Sequence, residues 1–243
     1  MTSREATAFL PRAADARRRS AADWVWQLGL GAITWPWLLR SLRGGSKAAK
    51  RALLARLGLP QDALPNLGSW KADTGLLTLI VDRIEAHRPQ TVVEFGSGAT
   101  SLIIAQALKL HGGGRLTSFD QHADFVAATA AWLGTHGLDA DMRYAPLGAP
   151  ASGWPGLWYE PGTLPDSIDL LVIDGPPWTI HPLTRGSAES LFDRIAPGGA
   201  VILDDAARPG ERLVARRWRR KWPEIDFQLV HAGTKGTLLG VRR

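Results

Sequence analysis

Glu94, Asp120, Asp174 and the pair Asp204-Asp205 each close a short apolar run, and a glycine turn, Gly96-Ser97-Gly98, follows the first of them. Runs such as Ile168-Asp-Leu-Leu-Val-Ile-Asp174 have the character of strands buried on both faces. In open α/β sheets ligands bind outside the carboxyl ends of the strands, so these acids are candidate site residues. Glycine lets backbone approach a ligand closely, and a helix starting near Thr100 would offer unpaired N–H groups. A dinucleotide site would normally add a third glycine and seat a pyrophosphate on that helix. Here Ser101 takes the third position, and the Glu94 carboxylate would repel a pyrophosphate and attract a cation. The chemistry indicated is the binding of a positively charged cofactor rather than NAD.

Asp120 lies 26 positions beyond Glu94, near the roughly 20-residue offset at which an acid meets ribose hydroxyls in nucleotide-binding units. Four segments carry a family resemblance: Glu94-Phe-Gly-Ser-Gly98, Ser118-Phe-Asp120, Val172-Ile-Asp-Gly-Pro-Pro177 and Pro197-Gly-Gly-Ala-Val-Ile-Leu-Asp-Asp205. In this order they resemble the class I S-adenosylmethionine-dependent methyltransferases, over roughly residues 69–243. The resemblance implies an α/β, Rossmann-like fold with a mostly parallel seven-stranded sheet finished by a C-terminal antiparallel hairpin. It implies S-adenosylmethionine as cofactor, held by Glu94, Gly96, Ser97, Gly98, Asp120 and Gln121, with Asp174 beside the transferable methyl. A carboxylate at Asp120 suits a vicinal diol because it offers two acceptor oxygens.

The expected reaction is O-methylation of a small-molecule or glycan-like acceptor. A base is needed only where the acceptor is a hydroxyl or an ammonium, and Asp174, His181 and Asp205 are the candidates. Catechol O-methyltransferase-like enzymes are similar in placing acids after these strands, which implies Mg²⁺ on Asp174, Asp204 and Asp205. The alternative is that Asp204 or Asp205 caps a helix over 206–218. Nucleobase amine methyltransferases resemble the chain in an Asp/Asn-Pro-Pro-aromatic turn, from which it departs by the inserted Gly175. Trp154, Trp158 and Trp178 could wall an acceptor pocket or belong to the core. Two other function classes stay open: a nucleic-acid methyltransferase, and a domain that binds cofactor or membrane without turnover.

The elements that must position these groups follow from periodicity and punctuation. Helices are expected over 47–57, from an N-cap at Ser69 to residue 87, over 100–110, 124–136 and 186–195. A strand is expected over 143–147, a long loop over 148–167, and a hairpin over 226–230 and 236–241. The chain has 243 residues, enough for one α/β domain (69–243) and a basic, Trp-rich helical extension (1–68). No cysteine is present, which excludes disulfides, thiol nucleophiles and cysteine-held zinc.

Charge is uneven. Residues 1–60 carry eleven Lys/Arg and three acids, a net of +8, and the remaining residues stand at −2 to give the total of +6. A second cluster, Arg216-Arg-Trp-Arg-Arg-Lys221, reads as a solvated helix face with Trp218 and Trp222 turned inward. Nucleic-acid contact is the sharper but disfavoured alternative. Residues 24–39 hold four tryptophans in an apolar stretch, shorter than the roughly 20 residues a bilayer span needs. Gly29, Gly31 and Pro36 should interrupt a helix there. Tryptophan flanked by arginine suits a membrane interface, and the other reading is a helical cap on the domain or a second subunit. The localisation expected is cytoplasmic, with peripheral membrane contact through 24–39.

Overall fold

The computed structural model describes residues 21–69, 71–231 and 233–243. The basic run over 12–19 lies outside them. Two helices, α1 (Ala21–Ser41) and α2 (Lys47–Arg56), precede α3 (Thr74–His87). Strand β1 (Thr91–Phe95), helix α4 (Ala99–His111), β2 (Arg115–Asp120), α5 (Ala123–Thr135) and β3 (Asp141–Tyr144) follow. A two-strand pair, β4 (Leu147–Gly148) and β5 (Trp158–Tyr159), interrupts the segment expected as loop. The rest is β6 (Ile168–Ile173), a 3₁₀ segment (Thr184–Arg194), β7 (Ile195–Leu203), α6 (Pro209–Lys221), β8 (Ile225–Val230) and β9 (Thr237–Arg242).

Seven strands form one sheet in the order β3-β2-β1-β6-β7-β9-β8. The pairs among β3, β2, β1, β6 and β7 are parallel, while β9 runs antiparallel to both β7 and β8. This is the seven-stranded, mostly parallel sheet with a terminal hairpin that the sequence implied. The two-residue period of a strand sorts its side chains onto two faces. Val93, Phe95, Leu171, Ile173, Val201 and Leu203 pack with Phe192 and Trp218 on one face. Val92, Leu170, Val172 and Ile202 pack under α3 and α4 on the other. Glu94 is two steps beyond Val92, Asp174 two beyond Val172 and Asp204 two beyond Ile202, so all three acids continue the second face.

Four local expectations are corrected. The cap of α3 is Asp73, in extended backbone and accepting from the Leu76 N–H at 2.9 Å, whereas Ser69 adopts φ 60°. The segment over 186–195 is 3₁₀ rather than α. Helix α6 starts at Pro209 with Arg208 as N-cap, so neither Asp204 nor Asp205 caps it. Finally, α1 runs unbroken through Gly29, Gly31 and Pro36. A proline leaves the carbonyl four residues earlier without a donor; here that is the carbonyl of Ala32, on the exposed side where water reaches it.

One stripe of α1 faces the domain. Leu30 joins the core, the Gln27 amide donates to the Thr179 carbonyl at 3.0 Å, and Trp37 lies under the Arg212 guanidinium at 5.8 Å. The opposite side exposes Trp24, Val25, Leu28, Ile33, Trp35 and Leu39. On α6, Trp218 and Trp222 do point inward, and Arg217 covers the Trp154 ring at 4.1 Å. Arg219 donates to the Phe227 carbonyl and Lys221 reaches the buried Glu189 at 2.8 Å. Much of the basic cluster is therefore engaged within the fold.

Candidate active site

The glycine turn is shaped by what it must touch. Gly96 holds φ 94°, and a Cβ there would lie 2.6 Å from the Gly175 nitrogen. Gly175 is confined in turn, since its Cβ would meet the Tyr159 hydroxyl at 2.0 Å. The residue inserted before Pro176-Pro177 thus allows the turn after β6 to pack on the turn after β1. The Asp174 and Gly175 N–H groups both donate to the Phe95 carbonyl at 2.8 Å, fixing that approach. Gly98, at φ 143°, opens α4 and would carry a Cβ into space bounded only by Phe125.

Ser101 explains the absent third glycine. Its hydroxyl accepts from the Gly98 N–H at 2.9 Å and donates to Glu94 Oε2 at 2.5 Å, while Ser118 donates to the same oxygen at 2.5 Å. Glu94 is fully buried, and its Oε1 has no well-formed hydrogen bond, Thr100 being a weaker partner of the carboxyl. Burial pushes its pKa up to about 7 against the pull of these hydroxyls. A buried carboxyl with one oxygen unspent beneath the glycine turn suits an ammonium arriving from above.

Asp120 ends β2 at the cleft wall. It accepts from the Ser97 N–H at 3.2 Å and the His122 N–H at 2.9 Å, which aims the carboxyl while leaving acceptor capacity on both oxygens. Burial raises its pKa to about 6 despite those bonds. Gln121 accepts from the Tyr159 hydroxyl at 2.8 Å. Tyr159 itself stays a phenol, burial pushing its pKa well above the ordinary value. Gly96, Ser97, Gly98, Asp120, Gln121 and Asp174 all line one cleft. Of the residues expected to hold S-adenosylmethionine, the glycine turn, Asp120, Gln121 and Asp174 are therefore brought together at the cleft, while Glu94 is fully buried and outside its lining.

Among the other expected residues, Trp178 lines this cleft, but Trp154 and Trp158 belong to the core, the latter 5.2 Å from Phe95. His181 is buried outside the cleft lining rather than solvated. Its Nδ1 accepts from the Leu183 N–H at 3.1 Å and its Nε2 lies 3.9 Å from Asp23 of α1. Of the three candidate bases, that leaves Asp174 and Asp205 at the cleft.

Asp174, Asp204 and Asp205 do converge, with one carboxylate oxygen from each within 4.8 Å of the others. Three cations already occupy the space around them. Lys235 Nζ lies 3.2 Å from Asp204 and 3.7 Å from Asp205. Arg208 lies 2.8 Å from Asp205, and Arg185 lies 3.2 Å from Asp205 and 3.8 Å from Asp174. Burial would raise Asp205, but Lys235, Arg208 and Arg185 together hold it below the ordinary carboxylate value. Asp204, for which burial outweighs Lys235, is raised well above it. Mg²⁺ prefers six oxygens at about 2.0–2.1 Å, and a site whose acids already face three buried cations does not fit it. The metal expectation is corrected on this ground. Sequence reasoning missed Arg185, Arg208 and Lys235; the only advance signal was three acids converging without an assigned counter-charge.

Residues 93–206 match the family model described as a methyltransferase domain. Among curated proteins, none matches the sequence. Solved structures with the same fold include a methyltransferase from Geobacter sulfurreducens, 21% identical, with 80% of this chain and 87% of that one covered and a TM-score of 0.52. An O-methyltransferase from Bacillus cereus, solved with S-adenosylhomocysteine, is 12% identical over 91% and 100% of the two chains, TM-score 0.53. An O-methyltransferase from Streptomyces achromogenes, involved in tomaymycin synthesis and solved with S-adenosylmethionine, is 16% identical over 92% and 99%, TM-score 0.52.

Proposed function

We propose that this chain, whose residues 93–206 match a methyltransferase domain, is a class I S-adenosylmethionine-dependent methyltransferase that methylates an oxygen of a small-molecule or glycan-like acceptor. One observation carries the reading: the Asp174 carboxylate lines the same cleft as the glycine turn and Asp120, with Trp178 as its neighbour on the wall. The cofactor, when bound, supplies a methyl on a sulfonium that leaves as a neutral thioether. The protein's task is then alignment and exclusion of water. Glu94 and the Gly96–Gly98 turn hold the amino-acid end, and Asp120 accepts from the ribose hydroxyls. Asp174 would take the proton of the acceptor hydroxyl as that oxygen gains the methyl the sulfonium gives up. Arg185, donating to the Asp174 carbonyl and standing 3.8 Å from its carboxylate, holds that acid in place.

Asp174→Asn keeps the shape and removes the base. It should lower kcat by about 10²–10⁴-fold, the usual range for a general base, while cofactor affinity changes less than about threefold. The measurement is transfer of labelled methyl to a panel of hydroxylated small molecules and glycans. Label appearing on polynucleotide, or on nitrogen with Asp174→Asn at full rate, would overturn the oxygen-acceptor reading.

The proposal extends to where the protein works. No helix among the described residues is long and apolar enough to cross a membrane. Helix α1 nevertheless presents Trp24, Trp26, Leu28, Ile33, Trp35 and Leu39 to the outside, with Arg40 and Arg43 at its end. Tryptophan at headgroup depth and arginine toward lipid phosphate make an anionic bilayer the matching partner. The 24–39 stretch is thus proposed as a peripheral membrane contact of the extension (1–68), outside the catalytic domain (69–243). The protein should cosediment with phosphatidylserine-containing vesicles, and binding should weaken without vanishing in high salt, because screening removes only the electrostatic part. Trp24→Ser/Trp35→Ser should lose it while keeping cofactor affinity. Vesicle binding that survives both substitutions, or none by the intact protein, would remove the membrane from the proposal.

A further inference from the structure

We propose that the Lys235 ammonium is a built-in replacement for a divalent cation, holding the Asp204-Asp205 pair after β7, and that removing it uncovers a metal site. The acids have what such a site requires: three carboxylates, one at the end of β6 and two after β7, with oxygens within 4.8 Å. Hard cations favour that ligand set. What stands against two of them, Asp204 and Asp205, is an amine.

The position of Lys235 is over-determined. The side chain is 2% exposed, and beyond the two aspartates Nζ donates to the Lys71 carbonyl at 2.8 Å. Two oxygens within hydrogen-bond distance and a third at 3.7 Å account for the three donors an ammonium offers. Its backbone is pinned as firmly. The Lys235 N–H donates to Asp73 Oδ2 at 3.1 Å, its carbonyl accepts from the Ala207 N–H at 3.2 Å, and the Gly236 carbonyl accepts from Ala206 at 2.9 Å. The turn between β8 and β9 is thereby laid against the Asp204-Asp205 turn, where Gly236 is needed because a Cβ would come 2.9 Å from Ala207.

Asp205 shows that the arrangement is built around these charges. It stands at φ 60°, a conformation unusual for any residue with a side chain and tolerated best by Asp and Asn. That backbone directs its carboxylate to Lys235, Arg208 and Arg185 together. Three buried cations already face Asp204, Asp205 and the cleft carboxylate Asp174, with Glu211 as a further buried acid beside the two arginines, so a divalent ion would enter against three positive charges. Without Lys235, Asp204 would lose its paired cation and the space beside it would open. Lys235 is accordingly a positioning residue for Asp204 and Asp205.

The test is Lys235→Met, which keeps the volume and removes the charge, with Lys235→Gln as a second variant that retains a donor for Asp204 and the Lys71 carbonyl. Mn²⁺ titration followed by electron paramagnetic resonance should show at least tenfold tighter binding by the variants than by the native chain, lost again when Asp204→Asn is added. Millimolar Mg²⁺ should raise the thermal midpoint of the variants and leave the native protein unmoved. Chelation should leave native methyl transfer intact. Stoichiometric Mn²⁺ on the native chain that disappears with Asp204→Asn would overturn the proposal, as would a folded Lys235→Met or Lys235→Gln that gains no metal. The metal arm uses neither cofactor nor acceptor, so its failure leaves the methyltransferase reading standing. Failure of that reading would appear instead as absent methyl transfer.

Discussion

Arg185→Met should cost about 3–5 kcal/mol of folding stability, the range for removing one partner of a buried charged network. The guanidinium is buried and is spent on two loops at once. It donates to the Pro176 carbonyl at 3.1 Å and to the Asp174 carbonyl after β6, and to the Asp204 carbonyl and Asp205 carboxylate, each at 3.2 Å, after β7. Burial alone would lower its pKa, but Asp205 and Asp174, followed by Glu211 and Asp204, raise it, so the charge persists. Without it, those carbonyls and acids stay out of water with fewer donors than acceptors. Arg185→Lys should recover only part of the loss, because an ammonium lacks the planar fork that spans both loops. Denaturant midpoints of the three proteins, with the slope unchanged, are the measurement. A shift in Arg185→Met below about 1 kcal/mol, the worth of an ordinary single hydrogen bond, would show that the two loops hold each other without the guanidinium.

Asp120→Ala should weaken S-adenosylmethionine binding by about 1–3 kcal/mol, roughly 5- to 150-fold, through lost charge-assisted hydrogen bonds. The pH dependence of affinity should change with it. In the free protein burial holds Asp120 up to about 6 and Glu94 up to about 7. A bound ammonium and a diol both favour the ionised acids, so binding releases protons. Affinity should therefore climb as pH rises from 5 toward 7 and level off above. The sign for the unliganded fold is opposite: folded carboxyls keep protons that unfolded ones have released. The contribution of these two acids to its stability is fully present below the ordinary carboxyl values and is lost as pH rises through about 6 and 7. In Asp120→Ala the affinity rise should shrink to the single step of Glu94. Calorimetry at several pH values checks both, and wild-type affinity in the mutant would remove Asp120 from the site.

The parts of this fold legible in the sequence are those whose causes are local. Parallel strands buried on both faces must be apolar runs, and a ligand edge facing a cationic cofactor must end them in acids, so Glu94, Asp120, Asp174 and Asp204 stood out together. The glycine turn was legible because Gly96 needs positive φ and close packing. Of the partners of the acids, Arg185 and Lys235 were hidden because nothing near them in the chain refers to the acids; the 3₁₀ segment and the hairpin fold-back bring them in, whereas Arg208, three residues after Asp205, is local and was overlooked. Helix α1 was misjudged for a related reason. Propensity counted Gly29, Gly31 and Pro36 against it, while packing of Leu30, Gln27 and Trp37 on the domain and solvent access at Ala32 made the continuous helix acceptable. The Asp23 contact that draws His181 from the cleft could not be read before α1 was known to lie across it.

The pairing of Lys235 with Asp204 also imposes an order on biosynthesis. The acids leave the ribosome first, and the ammonium that matches them follows 31 positions later, from a hairpin that also closes on Lys71, 164 positions earlier. Until that hairpin arrives, the growing chain holds a set of carboxylates destined for a dry interior with a main counter-ion still unsynthesised. Burying them early would strand charge in a low-dielectric space, so the nascent sheet has reason to leave its β7 edge wet and open. The strand pair whose turn covers Asp204 and Asp205 is thus made after the acids it covers, and its arrival supplies part of the electrostatics of the cleft as well as its shape.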